Sequence, residues 1–218
     1  MNGFRMDWMR GVGVAVAIAI AMTVGCREAQ PSDAIGMAAF DGRTTEMTAL
    51  LDADRADGAE INALVWAARG GQVAAIDALI ARGAPLDAPF GVNDWSPLMH
   101  AIHKNQAAAV AALVAAGANV NFRAKRGVTP LILSAGQGEA SITALLLEHG
   151  ADPRFRNDAG VTALTNGVAA GNVEVVRAIV ARAPELRLGA TMWDTAARWL
   201  VRLRGDEEMS RLMASRSE

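Results

Sequence analysis

Leu64, Leu98, Leu131 and Leu164 recur with a period of about 33 residues, and this spacing constrains the fold of the chain more than any other feature. The apolar pairs Leu79-Ile80, Leu113-Val114, Leu146-Leu147 and Ile179-Val180 recur at the same intervals, and so do Gly71, Asn105, Gly138 and Gly171. Three series in one phase mark a repeated structural unit. A unit of this length has room for two short helices and a loop, but cannot bury its apolar face alone, so successive units must stack into a solenoid. Val173, Val176, Ile179 and Val180 fall at helical spacing and supply the apolar stripe of a second helix.

The residues between these markers carry helix start and stop chemistry. Ser96 and Thr129 can accept hydrogen bonds from the first turn of a helix, and Pro97 and Pro130 follow at the position where no backbone donor is needed. Ala67-Ala68 and Ser134-Ala135 are small where a first helix must approach its neighbours. Gly71, Gly138 and Gly171 suit a left-handed turn between the two helices, and Asn105 can take the same conformation with a local adjustment. Gly127-Val128-Thr129-Pro130-Leu131, Gly160-Val161-Thr162-Ala163-Leu164 and Trp95-Ser96-Pro97-Leu98 resemble the helix-opening motif of the ankyrin repeat. Gly83-Ala84-Pro85-Leu86-Asp87, Gly117-Ala118-Asn119-Val120-Asn121 and Gly150-Ala151-Asp152-Pro153 resemble its helix-ending motif. The resemblance implies an all-α ankyrin-repeat solenoid of about five helix pairs over residues 34–190, closed by an irregular helical cap over 191–218. Tetratricopeptide repeats have a similar period but require Trp, Tyr and Gly at positions where this chain has none.

The ends depart from the pattern. Ala38-Ala39, Gly42 and Leu50-Leu51 precede their counterparts by less than one full period, which predicts a shortened finger between Asp52 and Glu60. Leu212-Met213 stands one period after Ile179-Val180, and Thr191 to Leu203, with Trp193 and Trp199, is predicted to form the preceding helix. Terminal units must cover an otherwise exposed apolar face, so irregular sequence is expected there.

Arg5 and Arg10 precede an uncharged apolar run from Val12 to Val24, which is shorter than the roughly 20 residues a spanning helix needs. Residues 1–25 therefore read as a signal peptide removed on export, and 26–33 as an anchor site with a short linker. Met22-Thr23-Val24-Gly25-Cys26 resembles the lipobox of bacterial lipoproteins, although that family usually has Leu where Thr23 stands. Cys26 is the single cysteine of the chain, and lipidation would cap a thiol that has no internal disulfide partner. With Arg27 next, the resemblance implies an outer-membrane lipoprotein facing the periplasm; a soluble periplasmic protein is the alternative.

The formal net charge is −2, and no segment forms the basic domain expected of a nucleic-acid binder. His100 and His103, at i and i+3, could supply two ligands to a metal, but no third stands nearby. They are expected to face the groove as partner contacts or as solvated residues. His149, just before Gly150, is expected to bond the last carbonyls of its helix. No nucleophile–base constellation, phosphate-binding loop or carboxylate pair meets the requirements of an active site, so the expectation is no enzyme, no metal and no cofactor. The function expected is protein–protein binding by the finger loops and first helices. Phe122-Arg123 and Phe155-Arg156, one period apart, should lie side by side on adjacent fingers, with Lys125, Arg126 and Arg154 adding charge that suits an acidic partner surface. Trp66, Arg69, Trp95, His103 and Lys104 would extend that face. An immunity protein that neutralises a periplasmic toxin, or a protective partner of a periplasmic enzyme, are alternatives within the same class.

Overall fold

The structure is a computed structural model describing residues 33–53 and 58–186, together with Thr195, Arg198, Val201, Arg202 and 204–214. The signal segment, Cys26, Trp193, Trp199 and most of the shortened finger lie outside the described residues, as does most of the helix expected over Thr191 to Leu203. Eleven α-helices are given by the described residues. Five consecutive pairs are α1 Ala34–Phe40 with α2 Thr44–Ala53, α3 Ala59–Gly70 with α4 Val73–Ala81, α5 Pro97–His103 with α6 Ala107–Ala115, α7 Pro130–Gln137 with α8 Ala140–Glu148, and α9 Ala163–Ala170 with α10 Val173–Arg182. Helix α11, Glu207–Ala214, packs on α10 as part of the cap. First helices contact first helices and second helices contact second helices along the array, giving a two-layer all-α solenoid.

The repeated leucines are what hold the layers together. Leu64, Leu98, Leu131 and Leu164 are fully buried between successive first helices, and Leu79, Leu113, Leu146 and Ile179 are fully buried in the second layer. Burying a Leu or Ile side chain stabilises by about 1.5–3 kcal/mol, so each unit contributes little by itself and the stack contributes through its sum. Ala67, Ala68, Ala101 and Ala135 are completely buried, as small side chains at a close helix crossing must be. Ser134 takes one of these slots at no polar cost, because its hydroxyl donates to the Leu131 carbonyl at 3.1 Å and accepts from Thr143 at 3.2 Å.

The caps form as expected. Ser96, Thr129 and Thr162 accept from the backbone N–H of Met99, Ile132 and Thr165, and Pro97 and Pro130 sit at the first helical position of α5 and α7. Gly71, Gly138 and Gly171 have φ of 73°, 81° and 75°, and Asn105 follows them into the left-handed region at 54°. The adjustment at Asn105 involves the next unit. Gln72, Gln106 and Asn172, which open second helices, donate their amides to the Phe40, Arg69 and Gly138 carbonyls one unit back, satisfying exposed helix ends. A Cβ at Gly71 would strike the Gln106 amide. At the corresponding place after Asn105 stands Glu139, whose carboxylate accepts from the Asn105 amide at 2.7 Å.

Three finger loops described in full connect the pairs α4–α5, α6–α7 and α8–α9, and they are tied to one another. Asp87 accepts from the Asn119 N–H at 2.9 Å, and Asn121 donates to the Gly150 carbonyl at 2.9 Å while accepting from the Asp152 N–H at 2.8 Å. Further out, Lys125 N–H donates to the Asn93 carbonyl and Asp158 N–H to the Arg126 carbonyl. The fingers are therefore linked into one ridge.

Candidate protein-binding face

The residues singled out in the sequence fall into two adjoining areas, a corner where the first fully described finger meets α3, α5 and α7, and the ridge of the next two fingers. At the corner the structure corrects an expectation. His100 is buried, 7 % exposed, and neither contacts a groove nor meets solvent. The repeat register explains this: His100 occupies the place held by Trp66 one unit before and by Leu133 one unit after, a position that packs inward. Its ring lies edge-on to Trp95 at 5.6 Å and to Phe90 at 6.1 Å, and Nδ1 is 3.5 Å from the Arg69 guanidinium. Burial, reinforced by the positive charge of Arg69, lowers the His100 pKa to about 4, against a smaller raising effect from the Phe90 backbone. The ring is neutral at neutral pH.

Trp66, Arg69 and Trp95 are buried to a similar degree, so they shape the wall of the corner instead of extending from it. Arg69 lies over the Trp66 ring at 4.8 Å, and Phe40 meets that indole edge-on at 6.2 Å. His103 is half-buried beside Trp95, with ring centroids 5.1 Å apart, and its Nδ1 is 3.1 Å from Nε2 of Gln137 on the neighbouring first helix. Lys104 follows at the end of α5 and is partly exposed. Gln137, Phe40 and Phe90 were not singled out in the sequence. The register did hold a signal for Gln137, which stands one unit after Lys104.

On the ridge, the side-by-side arrangement of the fingers is as the spacing predicts. The Arg123 guanidinium lies over the Phe155 ring at 5.4 Å, across the gap between two fingers, and Phe122 and Phe155 are partly buried beneath exposed arginines. The charge is less concentrated than expected. Lys125 pairs with Asp94 at 3.3 Å and also donates to the Val92 carbonyl, while Arg154 pairs with Asp152 at 3.4 Å and with Glu185. Arg156 donates to the Gly160 carbonyl at 3.1 Å, bracing its own finger. Exposed Arg123 and Arg126 have no carboxylate partner among the described residues, and Arg126 is held at φ 58° by the turn that offers its carbonyl to the next finger. His149 behaves as expected, with Nδ1 2.9 Å from the Leu145 carbonyl.

The helix pairs recur regularly, capped by Ser or Thr, broken by left-handed Gly and joined by linked fingers. The family model described as "Ankyrin repeats (3 copies)" matches residues 35–124 and 109–189. The chain belongs to the ankyrin-repeat family. Ankyrin repeats generally serve as protein–protein interaction scaffolds, and the family is typically non-catalytic. No curated protein matches the chain. Among the described residues of this ankyrin array no three His, Cys, Asp or Glu side chains converge to hold a metal, and no helix is long and apolar enough to cross a membrane.

Proposed function

We propose that this ankyrin protein is a non-catalytic binding scaffold of the cell envelope. In this reading it is exported by residues 1–25, anchored by a lipid on Cys26 in the outer membrane facing the periplasm, and holds an acidic protein on its fingers and first helices. The observation that supports it best is the Arg123–Phe155 stack: two fingers share a cation and an aromatic face, with Arg126 on the same finger as Arg123, on a ridge braced by backbone hydrogen bonds. A preorganised surface of this kind loses little conformational entropy on binding, and Arg is among the residue types that most often dominate interfaces. The apolar run before Cys26 and the solitary cysteine support the anchored, exported setting.

The test is affinity capture from envelope extract with the wild-type protein and with an Arg123→Glu, Arg126→Glu variant, bound proteins being identified by mass spectrometry. Neither side chain forms an ion pair among the described residues, so helix content and melting temperature should hold while capture falls. Equal capture by the variant at low and moderate salt would place binding elsewhere on the solenoid.

A further inference from the structure

The finger between α4 and α5 is one residue longer at its tip than the two that follow. Ala124 and Asn157 close their fingers by donating to the Val128 and Val161 carbonyls across three residues. Phe90 and Trp95 close theirs across four, Gly91 to Asp94, with backbone hydrogen bonds in both directions at 2.9 and 3.2 Å. Asp94, at φ 53°, takes the place that Gly127 and Gly160 hold in the next fingers. Lys125 N–H meets the Asn93 carbonyl as Asp158 N–H meets that of Arg126, so the extra residue falls at Gly91-Val92. Val92 is 83 % exposed, and the only other exposed large apolar side chain among the described residues is Met37 in the first unit.

A lone exposed apolar residue is ordinary on a surface. Val92 differs because the chain around it is held from the neighbouring finger. Lys125 Nζ donates to the Val92 carbonyl at 3.0 Å and pairs with Asp94 at 3.3 Å, and Lys125 N–H donates to the Asn93 carbonyl at 3.2 Å. The tip is thus preformed, and covering it costs little conformational freedom. Beside it in the row of tips stand Arg126 and then, one finger on, Asp158; both are exposed and neither forms an ion pair among the described residues. The row reads apolar, cation, anion, which gives a partner one sense in which to lie.

We propose that Val92 is the apolar anchor of the interface: it enters an apolar pocket on a partner protein, and the rim of that pocket carries a carboxylate that meets Arg126. The proposal rests on the scaffold reading for the partner being a protein and sharpens that reading to one contact. Lys125 is a positioning residue, holding the tip while its own charge is balanced by Asp94.

The experiment places a photo-crosslinking benzophenone amino acid at Val92, Arg126 or Ala115 of the full-length protein in the cells that produce it; Ala115 is exposed on the second-helix layer. One adduct protein is expected, the same from positions 92 and 126 and absent from 115, with the link from 92 mapped to apolar residues that border an Asp or Glu. Binding of that protein in purified form then decides the matter. Val92→Asp should weaken it about tenfold or more and Val92→Ala by less, while Val92→Ile should stay within about twofold, all at unchanged melting temperature. Lys125→Met should weaken it about threefold through slower association at unchanged helix content. Arg126→Gln should flatten the salt dependence and Arg126→Lys should keep it. Unchanged affinity in Val92→Asp, or an adduct with phospholipid or with a second copy of this chain in place of a partner protein, would overturn the proposal. If a partner is crosslinked from 115 and not from 92, the anchor fails and the scaffold reading stands. If no position yields an adduct and no envelope protein is captured, the scaffold reading fails and the anchor with it.

Discussion

His100 should make the stability of this protein fall in mild acid, and the size of the effect follows from its burial. The ring titrates near 6.5 in an unfolded chain and at about 4 in the folded one, so between those values the unfolded state binds more protons. Its contribution is complete above pH 6.5 and is lost as pH falls toward 4. At pH 5 the unfolded ring is protonated by about 32 to 1 and the folded ring by only about 1 to 10. The logarithm of the ratio of binding polynomials gives a loss of about 2 kcal/mol relative to pH 7.5, rising to about 3 kcal/mol below pH 4. His103 shifts in the same direction and adds to the slope. Urea unfolding followed by circular dichroism at pH 7.5, 6.5, 5.5 and 5.0 measures this directly. The comparison is His100→Leu, because Leu133 occupies the equivalent place one repeat later. Whatever His100→Leu does at neutral pH, its loss between pH 7.5 and 5 should be smaller than that of the wild type by about 2 kcal/mol, the whole of the His100 linkage. Parallel pH profiles for the two proteins would refute the assignment of the slope to His100.

Three further outcomes are expected. Gly70→Ala places a methyl against the Phe40 carbonyl oxygen of the preceding unit and should destabilise by about 1–3 kcal/mol in urea unfolding, with the loss concentrated in the N-terminal repeats by hydrogen exchange. Thr129→Ala removes the cap of α7 at a buried position and should cost about 1 kcal/mol, whereas Thr129→Ser should recover most of it in the same assay. Cys26→Ser should release the protein from the membrane fraction or leave it unprocessed; a wild-type protein found soluble in the periplasm with no lipid on its N-terminus would contradict the anchor.

The helix pairs and their phase were legible because each repeated residue type answers to one physical slot. A leucine that recurs once per unit is buried every time, and a Gly that recurs between helices is left-handed every time. The burial of His100 was legible by the same logic but was obscured by its chemistry: read as a polar residue it belongs on a surface, read by register it stands where Trp66 and Leu133 stand. The ion pairs that weaken the cationic ridge were not legible. Asp94 and Asp152 lie in loops, and Glu185 follows a helix end, so no periodicity marks which arginine or lysine each would reach. The Asn105–Glu139 bond falls between these cases. It needed the observation that a side chain at the turn displaces the amide that normally fills the space one unit on.

That last pair points to how a repeat array acquires specificity. The slots that hold the stack together admit few residue types, since a change at Leu98 or Gly138 disturbs two neighbouring units at once. The slots at the finger side of the first helices are permissive: Arg69, His103, Gly136 and Ala169 occupy equivalent places and share no chemistry. On the first-helix face, bulk and charge are concentrated in the second and third units, where Trp66, Arg69, Trp95 and His103 crowd one corner, whereas Gly136 and Ala169 leave that face low and uncharged in the fourth and fifth. A partner lying on the first-helix face would meet bulky aromatic and basic side chains in the second and third units and room for larger side chains beyond them. Charge-changing substitutions in the second and third repeats should therefore alter the salt dependence of binding, and filling substitutions such as Gly136→Leu should weaken it with no change in salt dependence. If Gly136→Leu leaves capture untouched while Lys104→Gln weakens it, the contact ends at the third repeat and the open face beyond is not part of the interface.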